Sequence, residues 1–361
     1  MKNSTFLIIS LALIFMNCGG DNSKKNEMKK QAEEYAESMK IEEEIGAQVK
    51  AMFQPLPAVA ENPDNPITDE KVRLGKILYF DNRLSKDQTQ SCNTCHDLST
   101  FGVDNKKFSD GDDGTSIGDR NSPTVLNAAF HTSQFWDSRA EDVEEQAGLP
   151  ILNPVEMNIP SEDFVIKRLA ATDLYPPLFA AAFPEDNNPL TFDNLMKAIG
   201  AFERTLVTPS KFDDYLKGNR GALSLEEKKG LKTFINVGCL TCHTGSQLGG
   251  NMLQKFGVYD NYWNLTGSDP IDEGRFKETG NEADKYMFKV PTLRNVAMTY
   301  PYFHDGSVEK LDVAVKIIAK LNLNKDLTED ETRSIVIFLN TLTGDLPEDV
   351  KKIPDELNPA S

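Results

Sequence analysis

The hydrophobic residues of the chain recur mostly at helical spacing. Between residues 191 and 208, apolar side chains return every three or four positions, which predicts an amphipathic helix. Two other apolar stripes follow capping boxes, Ser224 with Glu227 and Thr328 with Glu331, which mark helix starts. Strand signals are few and short. The pattern therefore predicts a mainly α fold with long loops and few short strands.

A helix is also expected shortly before each of two cysteine motifs. Thr68 can cap a helix that runs toward Phe80, upstream of the first motif. Gly238 can end the helix that begins after Ser224, and the second motif starts at the next residue. Residues 96–123 are dominated by Gly, Asp, Ser and Asn. A loop of that length inside a compact domain is usually functional.

Length and charge favour an acidic protein of two ordinary domains. The chain has 361 residues and a formal net charge of −17, and no basic cluster suggests nucleic acid as a partner. An acidic surface would steer a small basic electron carrier toward the protein. The stretch from residue 21 to about 50 is rich in Lys, Glu, Ala and Met, and it is expected to form a solvated helix or tether.

The N-terminus has the features of an export signal. Residues 1–17 carry Lys2 and then an apolar run that is too short to span a membrane. Cys18, followed by two glycines, is placed like the lipid-modified first residue of a bacterial lipoprotein, with Asn17 as an imperfect preceding residue. An ordinary cleaved signal with an incidental cysteine is the alternative. The protein is therefore expected in the periplasm, held by a lipid anchor.

Both cysteine motifs have the C-x-x-C-H spacing of a c-type haem attachment site. In such a site the two thiols form thioethers with the haem and the imidazole ligates the iron. A zinc site or two redox disulfides are the alternatives, but 143 residues (96–238) separate the two cysteine pairs, and neither alternative explains a histidine after each pair. Two covalently bound haem c groups are therefore predicted. They are attached by Cys92, Cys95 and His96 in the first motif and by Cys239, Cys242 and His243 in the second.

Candidate acid–base residues follow the first motif. Peroxide reduction at a haem needs an open iron face and a group that moves a proton between the two peroxide oxygens. Trp136 is followed by Gln146 after ten residues and by Glu156 after twenty. A carboxylate over the iron can transfer the proton, and an amide can hold the peroxide. Taken alone, a Trp or Glu at such a place is more often a packing residue or a solvated charge.

At these motifs the sequence resembles the bacterial dihaem cytochrome c peroxidases, whose relatives include the methylamine-utilisation dihaem enzymes. The resemblance runs from about Leu74 to Asp345. It rests on LGKILYFDNRLS, RNSPTVLNAAF, QFWDSRA, EQAGLPILNPVEM, FERTLVTP, the second C-x-x-C-H and VPTLRNVAMTYPYFHDG, in this order. It implies two cytochrome c-like haem domains, the first peroxidatic and the second receiving electrons from a small donor.

The resemblance also implies roles for single residues. Glu156 matches the catalytic carboxylate of the family, Gln146 its distal amide, and Trp136 the indole between the haems. Members of the family bind calcium between the domains through one side-chain amide and backbone carbonyls, and calcium would lock the two haem units together. Such oxygen ligands suit Ca²⁺. The family is often dimeric, so a homodimer is an expectation. The matching calcium positions are Asn121, Thr299 and Pro301.

The chain departs from the best-known branch of the family in one loop. There a histidine after a GTSIG-like stretch blocks the resting peroxidatic iron until the other haem is reduced. Residues 114–121 of this chain contain no histidine. His131 lies a register away and is expected to be a packed, hydrogen-bonded residue. We therefore expect a peroxidatic iron that is open without reductive activation.

A second departure concerns the sixth ligand of the C-terminal haem. The family has a methionine fourteen residues after the position of His304, and this count leads to Ile318, which cannot ligate iron. Losing the thioether would lower the reduction potential. An open site is one outcome, and His304 itself is expected to form a hydrogen bond near the haem. Candidate replacement ligands are Met287, Met298, Lys316 and Lys320.

The sequence thus predicts an export signal (1–17), a tether (18–55), an N-terminal peroxidatic haem domain (56–207), a C-terminal electron-transfer haem domain (208–345) and a tail (346–361). The leading hypothesis is a peroxidase that reduces hydrogen peroxide to water with electrons from a small cytochrome c or cupredoxin. One alternative is a related enzyme that oxidises a protein or organic substrate. Another is a dihaem electron carrier that is not an enzyme.

Overall fold

The computed structural model describes residues 22–357, and the predicted export signal and Cys18 lie outside the described residues. Helices dominate, so the predicted mainly α fold with few short strands is confirmed. The helices are α1 (Asn22–Met52), α2 (Asp69–Phe80), α3 (Cys92–Cys95), α4 (Val143–Leu152), α5 (Glu162–Ala170), α6 (Tyr175–Ala182), α7 (Phe192–Glu203), α8 (Lys211–Leu216), α9 (Leu225–Val237), α10 (Trp263–Thr266), α11 (Phe276–Thr279), α12 (Leu311–Leu323), α13 (Glu329–Asn340) and α14 (Glu348–Lys351).

Capping side chains set where the predicted helices begin. Thr68 accepts a hydrogen bond from a backbone amide in the first turn of α2. Ser224 and Glu227 form the expected capping box at the start of α9. Thr328 and Glu331 do the same at the start of α13. These predicted starts are confirmed, because each depends only on residues three positions apart.

Helix α7 ends at Glu203, earlier than the spacing of apolar residues predicts. The backbone amide of Asn127 donates to the carbonyl oxygen of Leu206 at 2.9 Å. The side-chain oxygen of Asn127 accepts from the backbone amide of Thr208, also at 2.9 Å. These contacts to a distant loop take the place of the next helical hydrogen bonds, so tertiary structure ends the helix.

The N-terminal core forms where α2 crosses α7. A Cβ atom on Gly75 would lie 1.9 Å from the carbonyl oxygen of Ala198, so only glycine permits this close approach. Helix α4 packs on the other side of α7. The crossing fixes α2, which leads to the first cysteine motif. Buried members of this core include Leu74, Ile77, Leu78, Ile151, Leu169, Phe179, Leu195 and Ile199.

The C-terminal core forms between α9 and α13. Here a Cβ atom on Gly230 would lie 2.2 Å from the carbonyl oxygen of Ser334, so the two helices are again in close contact. Phe234 of α9 packs against Phe338 of α13 with their ring centres 5.3 Å apart. The second cysteine motif follows α9 directly, and this core therefore fixes its position.

Helix α1 belongs to the C-terminal core along its second half. Ile41, Ile45 and Val49, which share one helix face at every fourth position, are buried against this core. Lys228 of α9 forms an ion pair with Glu42 at 2.7 Å. The expected solvated helix or tether is thus helical, but only its first half is solvated.

Two short strands complete the secondary structure. Strand β1 (Leu253–Lys255) pairs antiparallel with β2 (Met287–Lys289), and Gln254 lies opposite Phe288. Strand β1 follows the second motif closely in the sequence, whereas β2 lies much further along the chain. Their pairing therefore brings β2 close to the second motif. Among the helices between residues 22 and 357, none combines the length and apolar character that crossing a bilayer requires.

Candidate functional site

The first C-x-x-C-H motif forms a single helical turn. The backbone amide of Ser91 donates to the side-chain oxygen of Thr94 at 3.0 Å, which ties the start of the turn to its third residue. Cys92 packs against a buried cluster that contains Tyr79. The Tyr79 hydroxyl donates to the carbonyl oxygen of His96 at 2.5 Å. The backbone that carries the histidine is therefore held in place.

The imidazole of His96 has the protonation state that an iron ligand needs. Burial lowers the pKa of His96 below its usual range, so the ring is neutral at neutral pH. Its Nδ1 atom is buried without a hydrogen-bond partner among residues 22–357. A neutral imidazole fits ligation of haem iron.

In the second motif, a hydrogen bond fixes the tautomer of the histidine. Gly238 adopts a φ of +103° and ends α9 in a left-handed turn directly before Cys239. Nδ1 of His243 donates to the carbonyl oxygen of Leu248 at 2.7 Å, which leaves Nε2 as the nitrogen with a lone pair. Burial lowers the pKa of His243 to about 4. The ring is thus a neutral ligand whose orientation is fixed.

An apolar cavity adjoins the second motif. It encloses about 1540 Å³, counting its open mouth, and Cys242 and His243 lie in its wall. Its size and apolar lining fit a haem attached to this motif. Helices α9, α12 and α13 supply much of the wall through Phe234, Ala314, Val315, Ala319, Ile335 and Leu339.

Ile318, at the position of the family's methionine, also lines this cavity. Neither Met287 nor Met298 is part of the wall. Lys316 and Lys320 are paired with carboxylates at 2.5 and 2.7 Å. The structure therefore brings none of the four candidate replacement ligands to the cavity.

The thiols of both motifs are free and poorly ionised. Burial raises the pKa of Cys95 to about 11 and that of Cys239 to about 12, and it also raises the pKa of Cys92 and Cys242. Within residues 22–357, no group of three or more His, Cys, Asp and Glu side chains is arranged to hold a metal ion. The zinc alternative therefore has no site in this part of the chain.

A short loop carries neighbouring side chains to two different pockets. The amide of Gln134 donates to the carbonyl oxygen of Ala140 at 2.8 Å and closes the loop. Trp136 lines the cavity beside the second motif, and its indole nitrogen donates to the carbonyl oxygen of Asn121 at 2.8 Å. Phe135, with a left-handed φ of +65°, lines a second pocket. Adjacent residues thus connect the two pockets.

The second pocket contains Glu156. It measures about 590 Å³, counting its open side, and its wall contains both apolar and polar side chains. Of the residues in this wall, sequence reasoning singled out Glu156 alone, although all of them lie in the motifs QFWDSRA and EQAGLPILNPVEM. The wall consists of Phe135, Arg139, Leu149, Pro150, Leu152, Asn153, Pro154 and Glu156.

Opposing effects act on the carboxylate of Glu156. Burial raises its pKa above the usual range and is the largest effect. The positive charge of Arg139 and a 2.8 Å hydrogen bond from the side-chain amide of Asn153 oppose this shift. A half-buried carboxylate with a raised pKa in an accessible pocket suits proton transfer.

Backbone contacts place Glu156 beside the first cysteine motif. The amide of Asp112 donates to the carbonyl oxygen of Glu156 at 2.7 Å. The carboxylate of Asp112 accepts hydrogen bonds from the amide of Asp87 and the hydroxyl of Thr89, each at 2.7 Å. Glu156 is also among the carboxylates that, after burial, raise the pKa of Cys95. The pocket therefore adjoins the expected attachment site of the first haem.

Gln146 lies near this pocket without forming part of its wall. It is half-buried on α4, one turn before Leu149 and Pro150, which do line the pocket. Its side chain makes no hydrogen bond in the described part of the chain. Gln146 thus points along the same helix face as the pocket residues, but the structure does not bring it to Glu156.

No imidazole lines the Glu156 pocket. The chain has four histidines, and two of them belong to the cysteine motifs. His131 accepts a 3.3 Å hydrogen bond at Nδ1 from the buried Lys289, in line with the packed role expected for it. His304 stacks on Phe288 with ring centres 4.2 Å apart. Its Nε2 is buried without a partner among the described residues.

An ion cluster ties the Trp136 loop to the C-terminal half. Arg120, from the loop that lacks the blocking histidine, is paired with Asp137 and with Asp272, the latter at 2.7 Å. Arg275 donates to the carbonyl oxygens of Asp137 and Ser138 at 2.8 and 2.9 Å. Sequence reasoning missed this cluster because its members are far apart along the chain.

The residues expected to hold calcium share one wall of the large cavity. Asn121, Thr299 and Pro301 all line it. The side-chain nitrogen of Asn121 donates to the carbonyl oxygen of Lys106 at 2.9 Å, which orients its side-chain oxygen. That oxygen and the carbonyl oxygens of Thr299 and Pro301 accept no hydrogen bond from residues 22–357. Unpaired oxygens of these types fit a calcium ion.

Comparisons with known proteins agree on one family. The family model described as di-haem cytochrome c peroxidase matches residues 69–221. The chain is 45% identical to the cytochrome c551 peroxidase of Pseudomonas aeruginosa, covering 83% of this chain and 86% of that protein. It is 44% identical to the cytochrome c551 peroxidase of Nitrosomonas europaea, covering 84% and 88%. A solved MauG-like protein associated with microbial copper homeostasis is 29% identical, with a TM-score of 0.71 over 85% of this chain and 97% of that one.

Proposed function

Because the chain belongs to the di-haem cytochrome c peroxidase family and is a peroxidase, we propose that it reduces hydrogen peroxide to water at the Glu156 pocket. A small cytochrome c or cupredoxin supplies the electrons. The observation that carries the proposal is the half-buried carboxylate of Glu156 in an accessible pocket beside the first cysteine motif. An electron carrier has no need of such a group.

The two haem c groups that the family implies take different roles in this proposal. The haem held by Cys92, Cys95 and His96 is peroxidatic. The haem held by the second motif receives electrons from the donor, and Trp136 mediates between the two. The location of Trp136 in the wall of the large cavity, next to Phe135 in the wall of the Glu156 pocket, supports this assignment.

Glu156 transfers a proton between the two peroxide oxygens. When bound, the haem supplies an iron that ligates peroxide and passes electrons to it. Glu156 takes the proton from one oxygen and returns it to the other, which leaves as water. Asn153 holds the carboxylate in place through its 2.8 Å hydrogen bond. Gln146 contributes an amide near the same pocket.

We further propose that the peroxidatic site is open in the oxidised enzyme. All four histidines have positions outside the wall of the Glu156 pocket, which supports this proposal. A haem in the C-terminal cavity would lack thioether ligation, since Ile318, and no methionine among residues 22–357, lines that cavity. Loss of that ligand lowers the reduction potential. The relatives in this family that oxidise protein substrates also lack this methionine, which favours the runner-up function, in which a related enzyme oxidises a protein or organic substrate.

The remaining sequence predictions are part of the same proposal. Calcium binds between the side-chain oxygen of Asn121 and the carbonyl oxygens of Thr299 and Pro301. The protein is exported to the periplasm and anchored through Cys18 as a lipoprotein, and it forms a homodimer. The haem domains span residues 56–207 and 208–345, and α1 docks on the second of them.

One variant tests the proposal directly. Glu156→Ala should lower kcat/KM for peroxide at least a hundredfold, a loss typical of removing a general acid–base group. Both haems should remain attached. The exposed Glu162→Ala is the matched control and should behave as the wild type. Turnover by Glu156→Ala at the wild-type rate would reject the peroxidase mechanism.

Spectra of the oxidised and half-reduced holoprotein test the open site. A high-spin haem in the oxidised protein, with rapid oxidation of reduced cytochrome c after peroxide is added, is the expected result. Two low-spin haems that are inert to peroxide in both states would leave an electron carrier. Rapid peroxide consumption with slow oxidation of cytochrome donors would instead favour the enzyme that acts on a protein or organic substrate.

A further inference from the structure

Arg139 is held firmly in the wall of the Glu156 pocket. Its Nη1 atom donates to both carboxylate oxygens of Asp137, each at 3.0 Å. Its guanidinium carbon lies 3.5 Å from the centre of the Phe135 ring. The carboxylate fixes one edge of the guanidinium group and the ring covers one face. The orientation of this planar group is therefore set before any ligand arrives.

The other edge of the guanidinium group is unused. Nε and Nη2 of Arg139 make no hydrogen bond with any residue from 22 to 357. Arg139 and Glu156 line the same pocket, yet they do not approach within the 4.0 Å of an ion pair. Their charges still interact, since Arg139 lowers the pKa of Glu156. Opposite charges that face one pocket without touching leave space for a small polar molecule between them.

Peroxide matches the chemistry of this space. One of its oxygens gives a proton to a base, and the other gains negative charge as the O–O bond breaks. Glu156 can accept the proton, and the N–H groups of Arg139 can donate to the oxygen that gains charge. Such donors stabilise developing charge when they are held in place before the reaction, as the Asp137 carboxylate and the Phe135 ring hold Arg139.

We propose that Arg139 is a second catalytic residue, whose free guanidinium edge binds peroxide and stabilises the oxygen that leaves. The assignment rests on the proposed peroxide reduction at Glu156. In the balanced reaction, H₂O₂, two electrons from the donor and two protons give two molecules of water. The O–O bond breaks, the leaving oxygen receives the proton carried by Glu156, and Arg139 compensates its charge until that proton arrives.

The chain offers a closely matched control at Arg83. Arg83 pairs with Asp81 at 3.0 Å with the same two-residue spacing, and its side chain is 28% exposed, as is that of Arg139. It also covers an aromatic ring, that of Tyr175, with its guanidinium carbon 5.5 Å from the ring centre. Arg83 is not part of the Glu156 pocket. Arg83→Gln therefore reproduces the loss of a half-buried ion pair without changing the pocket.

The test uses the holoprotein and two measurements. The first is kcat/KM for peroxide. The second is the dissociation constant for fluoride, a small anion that binds ferric haem and accepts hydrogen bonds, followed in the visible spectrum of the oxidised protein. Arg139→Gln should lower kcat/KM on the order of a hundredfold, as removal of an oxyanion donor does. It should also weaken fluoride binding at least tenfold.

The variants separate this proposal from the proposed function. Arg139→Lys keeps the charge but not the two-pronged donor edge, so it should fall between Arg139→Gln and the wild type in both measurements. Arg83→Gln should match the wild type. If Arg139→Gln also matches the wild type while Glu156→Ala is inactive, Arg139 is structural only. If Glu156→Ala is active, the proposed function itself fails, whatever Arg139 does.

Discussion

The side-chain amide of Asn153 donates a 2.8 Å hydrogen bond to Oε1 of Glu156, three residues further along the chain. The side-chain oxygen of Asn153 also accepts from the amide of Val155 at 3.2 Å, which fixes the amide group. Hydrogen bonding to the carboxylate favours its charged form and offsets part of the rise in pKa that burial causes. Asn153 thereby sets the pH range over which Glu156 accepts a proton.

Asn153→Ala should shift the acid limb of kcat/KM for peroxide to higher pH. Without the hydrogen bond, the pKa of Glu156 rises further above its usual range. The carboxylate is present above that pKa and is lost as the pH falls through it. Activity at pH 8 should therefore stay near the wild-type value, while activity at pH 6 should fall. Asn153→Asp, which keeps the acceptor for Val155 but adds a second negative charge, should shift the limb further. An unchanged acid limb in both variants would contradict the role of Asn153.

Trp136 and the neighbouring Phe135 line different pockets. This arrangement predicts that a change at Trp136 slows oxidation of the electron donor without affecting peroxide binding. Trp136→Phe should slow oxidation of the reduced donor on the order of tenfold, equivalent to about 1.4 kcal/mol in the barrier. Peroxide binding at the Glu156 pocket should not change, because the pocket wall is intact. Stopped-flow absorbance resolves the two steps.

The second tryptophan of the chain provides the control. Trp263 packs against Tyr262 and Tyr286 outside the cavity wall. Trp263→Phe should leave both steps at the wild-type rate. Equal donor oxidation in the two variants would remove Trp136 from the electron path.

Local features of the fold could be predicted from the sequence, and long-range ones could not. The capping boxes at Ser224 and Thr328 depend on neighbours three residues away, and they were predicted correctly. The end of α7 at Glu203 depends on Asn127, which is distant in the sequence, and it was not predicted. Docking of α1 was missed because the apolar face around Ile45 is narrow within a highly charged helix.

In the candidate site, too, features that are local in the sequence could be predicted, and those that depend on distant residues could not. Both haem attachment motifs are contiguous, so spacing alone identified them. Glu156 was singled out through family resemblance, since an isolated glutamate has no distinguishing pattern. Arg139 and Asn153 were missed, because their importance arises only when the two motifs that contain them meet at one pocket.

Calcium removal should destabilise the protein through Asn121. A ligand present at a hundred times its dissociation constant stabilises the folded state by about 2.7 kcal/mol. Chelation should therefore lower the thermal midpoint of the wild type. Asn121→Ala, which lacks the side-chain oxygen, should bind calcium at least tenfold more weakly and respond less to the chelator, whereas Asn121→Asp keeps an oxygen ligand. A wild-type midpoint that is indifferent to chelation would exclude the site.

The burial of Lys289 predicts that the free energy of unfolding increases as the pH rises above 7. Its amino group is buried and donates to the carbonyl oxygen of Ser133 at 2.7 Å and to His131. Burial lowers the pKa of Lys289 from 10.5 to about 7, and the charge of Asp137 only partly opposes this. Between these two values the unfolded chain holds a proton that the folded chain has released. Unfolding therefore becomes less favourable as the pH rises from 7, by at most about 1.4 kcal/mol per pH unit.

Lys289→Met removes the titrating group, so the stability of the wild type relative to this variant should increase between pH 7 and pH 9. Below pH 7, both the folded and the unfolded chain are protonated, and the difference should be constant. Urea unfolding at pH 6, 7, 8 and 9 measures the curve. The exposed Lys167→Met should run parallel to the wild type throughout. If Lys289→Met also runs parallel, the buried amino group does not titrate in this range.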